Sequence, residues 1–133
     1  MGGVSESNLD VVQRLFDQYA EGGVDAILDG ADENILIEIP SDLSAEPDTY
    51  HGHNGVRRYF AGFEGMIDDV RYEAIELTPI GDGVLAHSRM SGRGVTSGLD
   101  VDLEVYVIHE LAGGKITRIR PYADRESAEA ALG

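Results

Sequence analysis

The chain has 133 residues, 25 acidic against 10 basic, and its formal charge of −15 describes one domain whose surface repels nucleic acid and anionic membrane. It holds no cysteine, which excludes a disulfide framework, a thiolate nucleophile and a cysteine zinc site, and fits a reducing cytosol. The start shows no basic n-region or apolar h-region, and no apolar run approaches the roughly 18 to 20 residues of a membrane helix, so a soluble, cytoplasmic protein is expected.

Residues 1–7 are expected as a flexible leader and 8–133 as a single domain. Asn8 is placed to cap a first helix in which Val12, Leu15, Phe16 and Tyr19 fall at i, i+3, i+4 and i+7, and Gly22-Gly23 ends it. A short helix over Asp25 to Leu28 follows. The run NILIEIP then reads as a strand closed by Pro40, with Ile35, Ile37 and Ile39 on one face and Glu38 opposite. Ser41 to Gly52 is expected as an irregular loop over one end of the fold. His53 or Asn54 would cap the next helix, where Val56, Tyr59, Phe60 and Phe63 form a second apolar stripe.

VRYEAIELTPIG and VLAHSRMSGRGV are strand runs joined at Gly81-Asp82-Gly83, a hairpin signal. In the second run Leu85, His87, Arg89 and Ser91 share a face, and Val84, Ala86, Ser88 and Met90 share the other. Gly92 to Gly98 reads as a loose tip. The long hairpin LDVDLEVYVIHELAGGKITRIRPYAD comes next. Val101, Leu103, Val105 and Val107 alternate with Asp102 and Glu104, the period of a half-buried strand, and His109 continues the dry phase. Tyr106 and Ile108 break the wet phase, which points to a partner subunit covering that face. Gly113-Gly114 turns the chain back, and RESAEAAL reads as a terminal helix. Helices first and a meander later make an α+β layout, in which a curved sheet wrapped by helices leaves a cone-shaped hollow.

This element order, with GGVDAILD after the first helix, YHGHNGVRRYF opening the third and HELAGGKITRIRPYAD on the last hairpin, resembles the SnoaL-like group of the nuclear transport factor 2-like superfamily over Asn8 to Leu132. The resemblance implies a curved, mostly antiparallel sheet, a pocket between sheet and helices, and a homodimer through the convex face. It also implies a choice of activities, because the same cone hosts ketosteroid isomerases, polyketide cyclases, epoxide hydrolases, dehydratases and non-catalytic modules. The isomerase base has no match, since Ile39 precedes Pro40 with Glu38 one place off, and the phenol falls near Leu15. Of the epoxide hydrolase set Arg89 matches, while Ser91 and Pro121 stand at the aspartate positions. His109 with Asp124 is the nearest analogue of the cyclase pair.

His109 and His87 titrate near neutrality and are the candidates to move protons at a carbon acid or enol. Arg89 would hold developing negative charge, and Asp124 would act as base unless it simply caps the last helix. Phe16, Tyr19, Tyr59, Phe63, Leu103, Val105, Val107 and Tyr122 are the expected ligand-lining residues. His51-Gly-His53 has no third ligand in sequence, so no metal and no cofactor are expected. The expected function is a pocket for a small, mostly apolar carbonyl or polycyclic compound, as a cofactor-independent isomerase, cyclase or dehydratase; the alternative is a non-catalytic binding or dimerisation module.

Overall fold

The computed structural model describes residues 7–40 and 48–132, with Asp48, Phe63 and Leu132 by their backbones alone. The first helix, α1, spans Asn8–Gly22, and its cap is Ser7, whose hydroxyl accepts from the Asp10 amide at 3.2 Å. Asn8, the expected cap, is instead the first helical residue. Its side-chain amide donates to the Asp82 carbonyl at 2.9 Å, tying the helix start to a distant hairpin turn. The predicted stripe is buried as a unit, joined by Val11, and Gly23 ends the helix at a φ of +73° with its amide on the Tyr19 carbonyl. Of the leader expected over residues 1–7, residues 1–6 lie outside the described residues and Ser7 serves as the cap of α1.

Helix α2 (Val24–Ile27) and a 3-10 turn (Leu28–Gly30) reverse the chain into strand β1 (Ala31–Ile39), where Ile35 and Ile37 are fully buried. Glu38 faces the other way and pairs with Arg118. The loop expected from Ser41 to Gly52 holds a strand in its described part, β2 (Asp48–His51), antiparallel to β1 with Tyr50 opposite Ile37. Thr49 and Tyr50 suit a pleated surface, and an edge of β1 would otherwise present unpaired amides and carbonyls. Helix α3 (Gly52–Glu64) begins at a glycine with φ +68°, where a Cβ would stand 3.2 Å from the Glu33 carbonyl oxygen. Val56 and Phe60 of its stripe are buried, Tyr59 is partly buried, and the Phe63 side chain lies outside the described residues.

Strands β3 (Ile67–Ile80), β4 (Gly83–Gly94), β5 (Asp100–Ala112) and β6 (Lys115–Tyr122) form the predicted meander, and α4 (Arg125–Leu132) closes the chain. The tip expected over Gly92 to Gly98 is tighter than a loose loop. β4 runs through Gly94, whose amide bonds the Leu99 carbonyl at 2.8 Å. The six strands lie in the order β2-β1-β6-β5-β4-β3, antiparallel except for the parallel β1–β6 pair, so the sheet is mixed.

The β4–β5 register assigns the faces. Val84 pairs with His109, Ala86 with Val107 and Ser88 with Val105, and these residues look toward α1 and α3. Leu85, His87 and Arg89 pair with Ile108, Tyr106 and Glu104 on the opposite, outer face. The main core fills the inner side, from Val12, Phe16 and Tyr19 through Ile35, Ile37 and Phe60 to Val107 and Ile119. Each such aliphatic or aromatic side chain contributes about 1.5–3 kcal/mol on burial. A smaller outer cluster of Leu85, Ile108 and Ala128, flanked by Tyr106 and Tyr122, holds α4 against the back of the sheet.

At Gly83 a Cβ would sit 2.5 Å from the His109 carbonyl oxygen, a backbone atom that cannot swing aside. Gly83→Ala is therefore expected to lower stability by about 1–3 kcal/mol in urea unfolding, with an unchanged denaturant slope.

Candidate functional site

The inner face carries an aromatic wall built from four elements. α1 supplies Phe16 and Tyr19, α3 supplies Tyr59 and Phe60, β3 supplies Tyr72, and β5 supplies His109. Phe16 and Tyr72 have ring centroids 4.7 Å apart, Tyr19 and Phe60 5.1 Å, and Tyr59 and Phe60 5.5 Å, while Tyr19 stands edge-on to Tyr72 at 6.0 Å. Such tilted and edge-on contacts suit rings whose faces are negative and edges positive. Tyr50 extends the wall from β2, 5.6 Å from Tyr59.

His109 lies beside this wall, 1% exposed, with its ring edge-on to Phe16 at 6.3 Å. Burial, opposed by backbone hydrogen bonds involving Val84 and Val107, lowers its pKa to about 4. At pH 7 only about one ring in a thousand is protonated. The imidazole is a neutral hydrogen-bonding group here, and its Nδ1 is buried without a partner.

The phenols are likewise held neutral. Burial pushes Tyr72 up to about 12, against a lowering hydrogen bond with Ser88, whose hydroxyl donates to the Val105 carbonyl at 3.0 Å. Tyr59 is raised above the ordinary phenol range, chiefly by burial. Tyr19 is raised by burial first and then by Glu64, whose carboxylate accepts its hydroxyl at 2.8 Å. Tyr19 and Glu64 also line a shallow surface cleft of about 340 Å³ with Gly23, Ile67, Asp68, Asp69 and Val70. Tyr19 thus joins the buried wall to solvent. The arrangement can pack an apolar ring system and donate hydrogen bonds to its oxygens, while Glu64 is the carboxylate within reach of a phenol proton.

Several predicted site residues stand elsewhere. His87 is on the outer face, its Nε2 2.6 Å from Glu104 and its ring stacked on Tyr106 at 4.4 Å. Arg89, also outside, donates to both Asp102 oxygens, with Nε at 2.8 Å, and this carboxylate raises its pKa. Both are expected as site residues with His109 on chemical grounds, and the β4–β5 register puts their strand face opposite that of His109. Asp124 caps α4, accepting the Ser127 amide at 2.7 Å, a bond that holds its carboxyl below the ordinary value. Tyr122 pairs with Tyr106 and belongs to the outer cluster. Leu103 keeps the inner phase but is 52% exposed, whereas Val105 packs on the core and Val107 is within it. Among the described residues no group of three His, Asp or Glu side chains is placed to hold a metal ion. His53 instead bonds the Ala31 carbonyl at 3.0 Å.

Tyr72, Ser88 and Glu64 enter the site without having been singled out. Tyr72 was readable, because Val70, Tyr72 and Ala74 alternate with Arg71 and Glu73. Ser88 was readable from its phase with Val84 and Ala86. The Tyr19–Glu64 bond spans 45 residues and has no local signal.

The lowered His109 pKa has a definite consequence for stability. Between pH 6.5 and about 4 the unfolded chain binds a proton that the folded chain refuses, so this contribution is intact above pH 6.5 and is lost as pH falls toward 4. The loss is about 3 kcal/mol when complete. Urea midpoints of the natural protein and His109→Phe, compared from pH 7.5 to 4.5, are expected to diverge in that window, with the natural protein falling faster.

The SnoaL-like domain family model matches residues 12–119. No curated protein sequence matches the chain. Among solved structures, a nuclear transport factor 2-like protein from Burkholderia thailandensis E264 aligns with TM-score 0.78 and 18% identity, over 97% of this chain and 99% of its own. TerC, crystallised with polyporic acid, aligns with TM-score 0.74 and 17% identity over 94% and 97%. A ketosteroid isomerase-like protein from Catenulispora acidiphila DSM 44928, in complex with trimethylamine, aligns with TM-score 0.74 and 14% identity over 93% and 92%. These identities carry the fold alone. The family match covers most of the chain, and the protein belongs to the SnoaL-like domain family, with a nuclear transport factor 2-like α+β fold.

Proposed function

We propose that this is a small-molecule pocket protein that takes one mostly apolar carbonyl or polycyclic compound between its helices and the inner face of the sheet. The observation that carries the reading is the unpartnered Nδ1 of His109, buried beside Phe16 and the aromatic wall. An unsatisfied buried polar atom costs about 1–3 kcal/mol, which a ligand oxygen or hydroxyl bonded to Nδ1 would recover. Neutral phenols on the same wall add donors without adding charge, as an apolar compound with a few oxygens requires. TerC, of the same fold, is a precedent for an organic ligand in its polyporic acid complex.

Two forms of this function follow from different observations. The Tyr19–Glu64 pair favours a cofactor-independent isomerase, cyclase or dehydratase, with Glu64 taking a proton and neutral Tyr or His donors stabilising the enol or enolate. The outward placement of His87, Arg89 and Asp124 favours a non-catalytic binding module. In either form a second copy would cover the outer face, where Tyr106 and Tyr122 are partly buried and Arg120 Nε is buried without a partner. The charge of −15 and the lack of cysteine support a cytoplasmic setting away from nucleic acid and membrane. No described helix is long and apolar enough to cross a membrane.

Native mass spectrometry of freshly purified protein is expected to give a dimer carrying a small molecule that denaturation releases; a cargo-free protein that binds nothing in a carbonyl-compound screen would sink the reading. For the compound identified, His109→Phe should weaken binding about tenfold while leaving folding intact, because it removes the orphan nitrogen and keeps the ring. Glu64→Gln then separates the two forms: turnover that falls at least about a hundredfold in kcat with little change in KM supports catalysis, and binding without any turnover in the natural protein supports the module.

A further inference from the structure

A second cleft, of about 220 Å³, lies between α1, the 3-10 turn and the β5–β6 turn, and none of the phenols or His109 lines it. Its floor is Val11, Leu15, Ile27 and Ile116, all buried, and its rim is Arg14, Gln18, Asp29 and Lys115. Lys115 is the chain's single lysine. Arg57, Arg89, Arg118, Arg120 and Arg125 each pair with a carboxylate, whereas Lys115 forms no ion pair among the described residues and donates to the backbone carbonyl of Asp29. An ammonium has three donors, so two remain beyond the one given to Asp29.

We propose that this cleft binds a short-chain aliphatic carboxylate, its oxygens on the Lys115 ammonium and its alkyl end on Val11, Leu15, Ile27 and Ile116. The chemistry follows from the lining. An apolar floor under a cationic rim matches an amphiphile with one negative end, and a neutral apolar compound would leave the rim unused. Drug-sized ligands occupy about 300–1,000 Å³, so a cleft of this size takes a smaller molecule, of about four to six carbons. The net charge of −15 opposes any anion at long range, but salt screens it beyond about 8 Å, so the Lys115 ammonium on the rim acts locally. The turn that presents Lys115 is open, since a Cβ built on Gly113 or Gly114 meets no atom within 4 Å.

The test is an amide NMR titration of the full chain at constant ionic strength with 4-methylpentanoate, and separately with the isosteric neutral 4-methylpentan-1-ol. The acid is expected to give saturable shifts at Gly30, Gly114, Lys115 and Ile116, and the alcohol weaker ones. Lys115→Met keeps the alkyl stem of an exposed turn residue, and should weaken the acid about fivefold or more while the spectrum elsewhere stays unchanged. Absence of saturable shifts at millimolar acid, equal response to the alcohol, or unchanged affinity in Lys115→Met would overturn the proposal. So would acid-induced shifts confined to Tyr72 and His109, which would place the acid on the aromatic wall instead.

Discussion

The pairing of β4 with β5, residue for residue from Gly83–Glu110 to Arg93–Asp100, is the constraint on which the rest of the molecule depends. Side chains in a strand alternate with period 2, so one pairing decides at once which chemistry is dry and which is wet. It puts Val84, Ala86, Ser88, Val105, Val107 and His109 under the helices. The same step sends His87, Arg89, Asp102 and Glu104 to the outer face, where Arg89 pairs with Asp102 and His87 hydrogen-bonds Glu104. A slip of one residue would exchange an apolar hollow for a charged one.

That division governs the electrostatics of the site. Inside, burial is the leading cause that pushes His109 downward and Tyr19, Tyr59 and Tyr72 upward, toward their neutral forms. Outside, Arg118 joins Glu38 and Glu110, and Arg120 also meets Glu110, across β1, β5 and β6. Exposed pairs of this sort add little stability singly, so the fold rests on the inner core and the outer cluster under α4, and the charges serve solubility and orientation. The inner wall keeps its few polar atoms buried and uncharged. Glu64, at the mouth beside Tyr19, is where charge and phenol meet.

A cone of this kind is a scaffold with many uses, and family membership leaves the chemistry to the particular side chains at the wall. In this chain the histidine on the inner face is too depressed to carry a proton at neutral pH. The carboxylate expected to partner it is occupied in capping α4. Burial thus leaves the inner wall with neutral hydrogen-bonding groups, and the Tyr19–Glu64 bond is where a carboxylate meets it.

Elements were legible wherever a face repeats locally. The stripe of Val12, Leu15, Phe16 and Tyr19, the alternation along β1 and β5, the Gly81-Asp82-Gly83 turn and the α+β layout follow from periods of 3.6 and 2 and from residues that permit turns. Asp124 as a cap was legible for the same reason, since a cap is a contact three residues long. Which face of β4 looks inward was not, because alternation defines two faces and only pairing with β5 and packing under α1 name one of them. The parallel β1–β6 pairing, the short β2 on the sheet edge, Tyr72 against Phe16, and Tyr19 on Glu64 join residues far apart in the chain. Sequence by itself determined the elements, the fold family and the identity of His109 as the inward histidine; tertiary structure decided its company, because burial and partners are set by long-range packing.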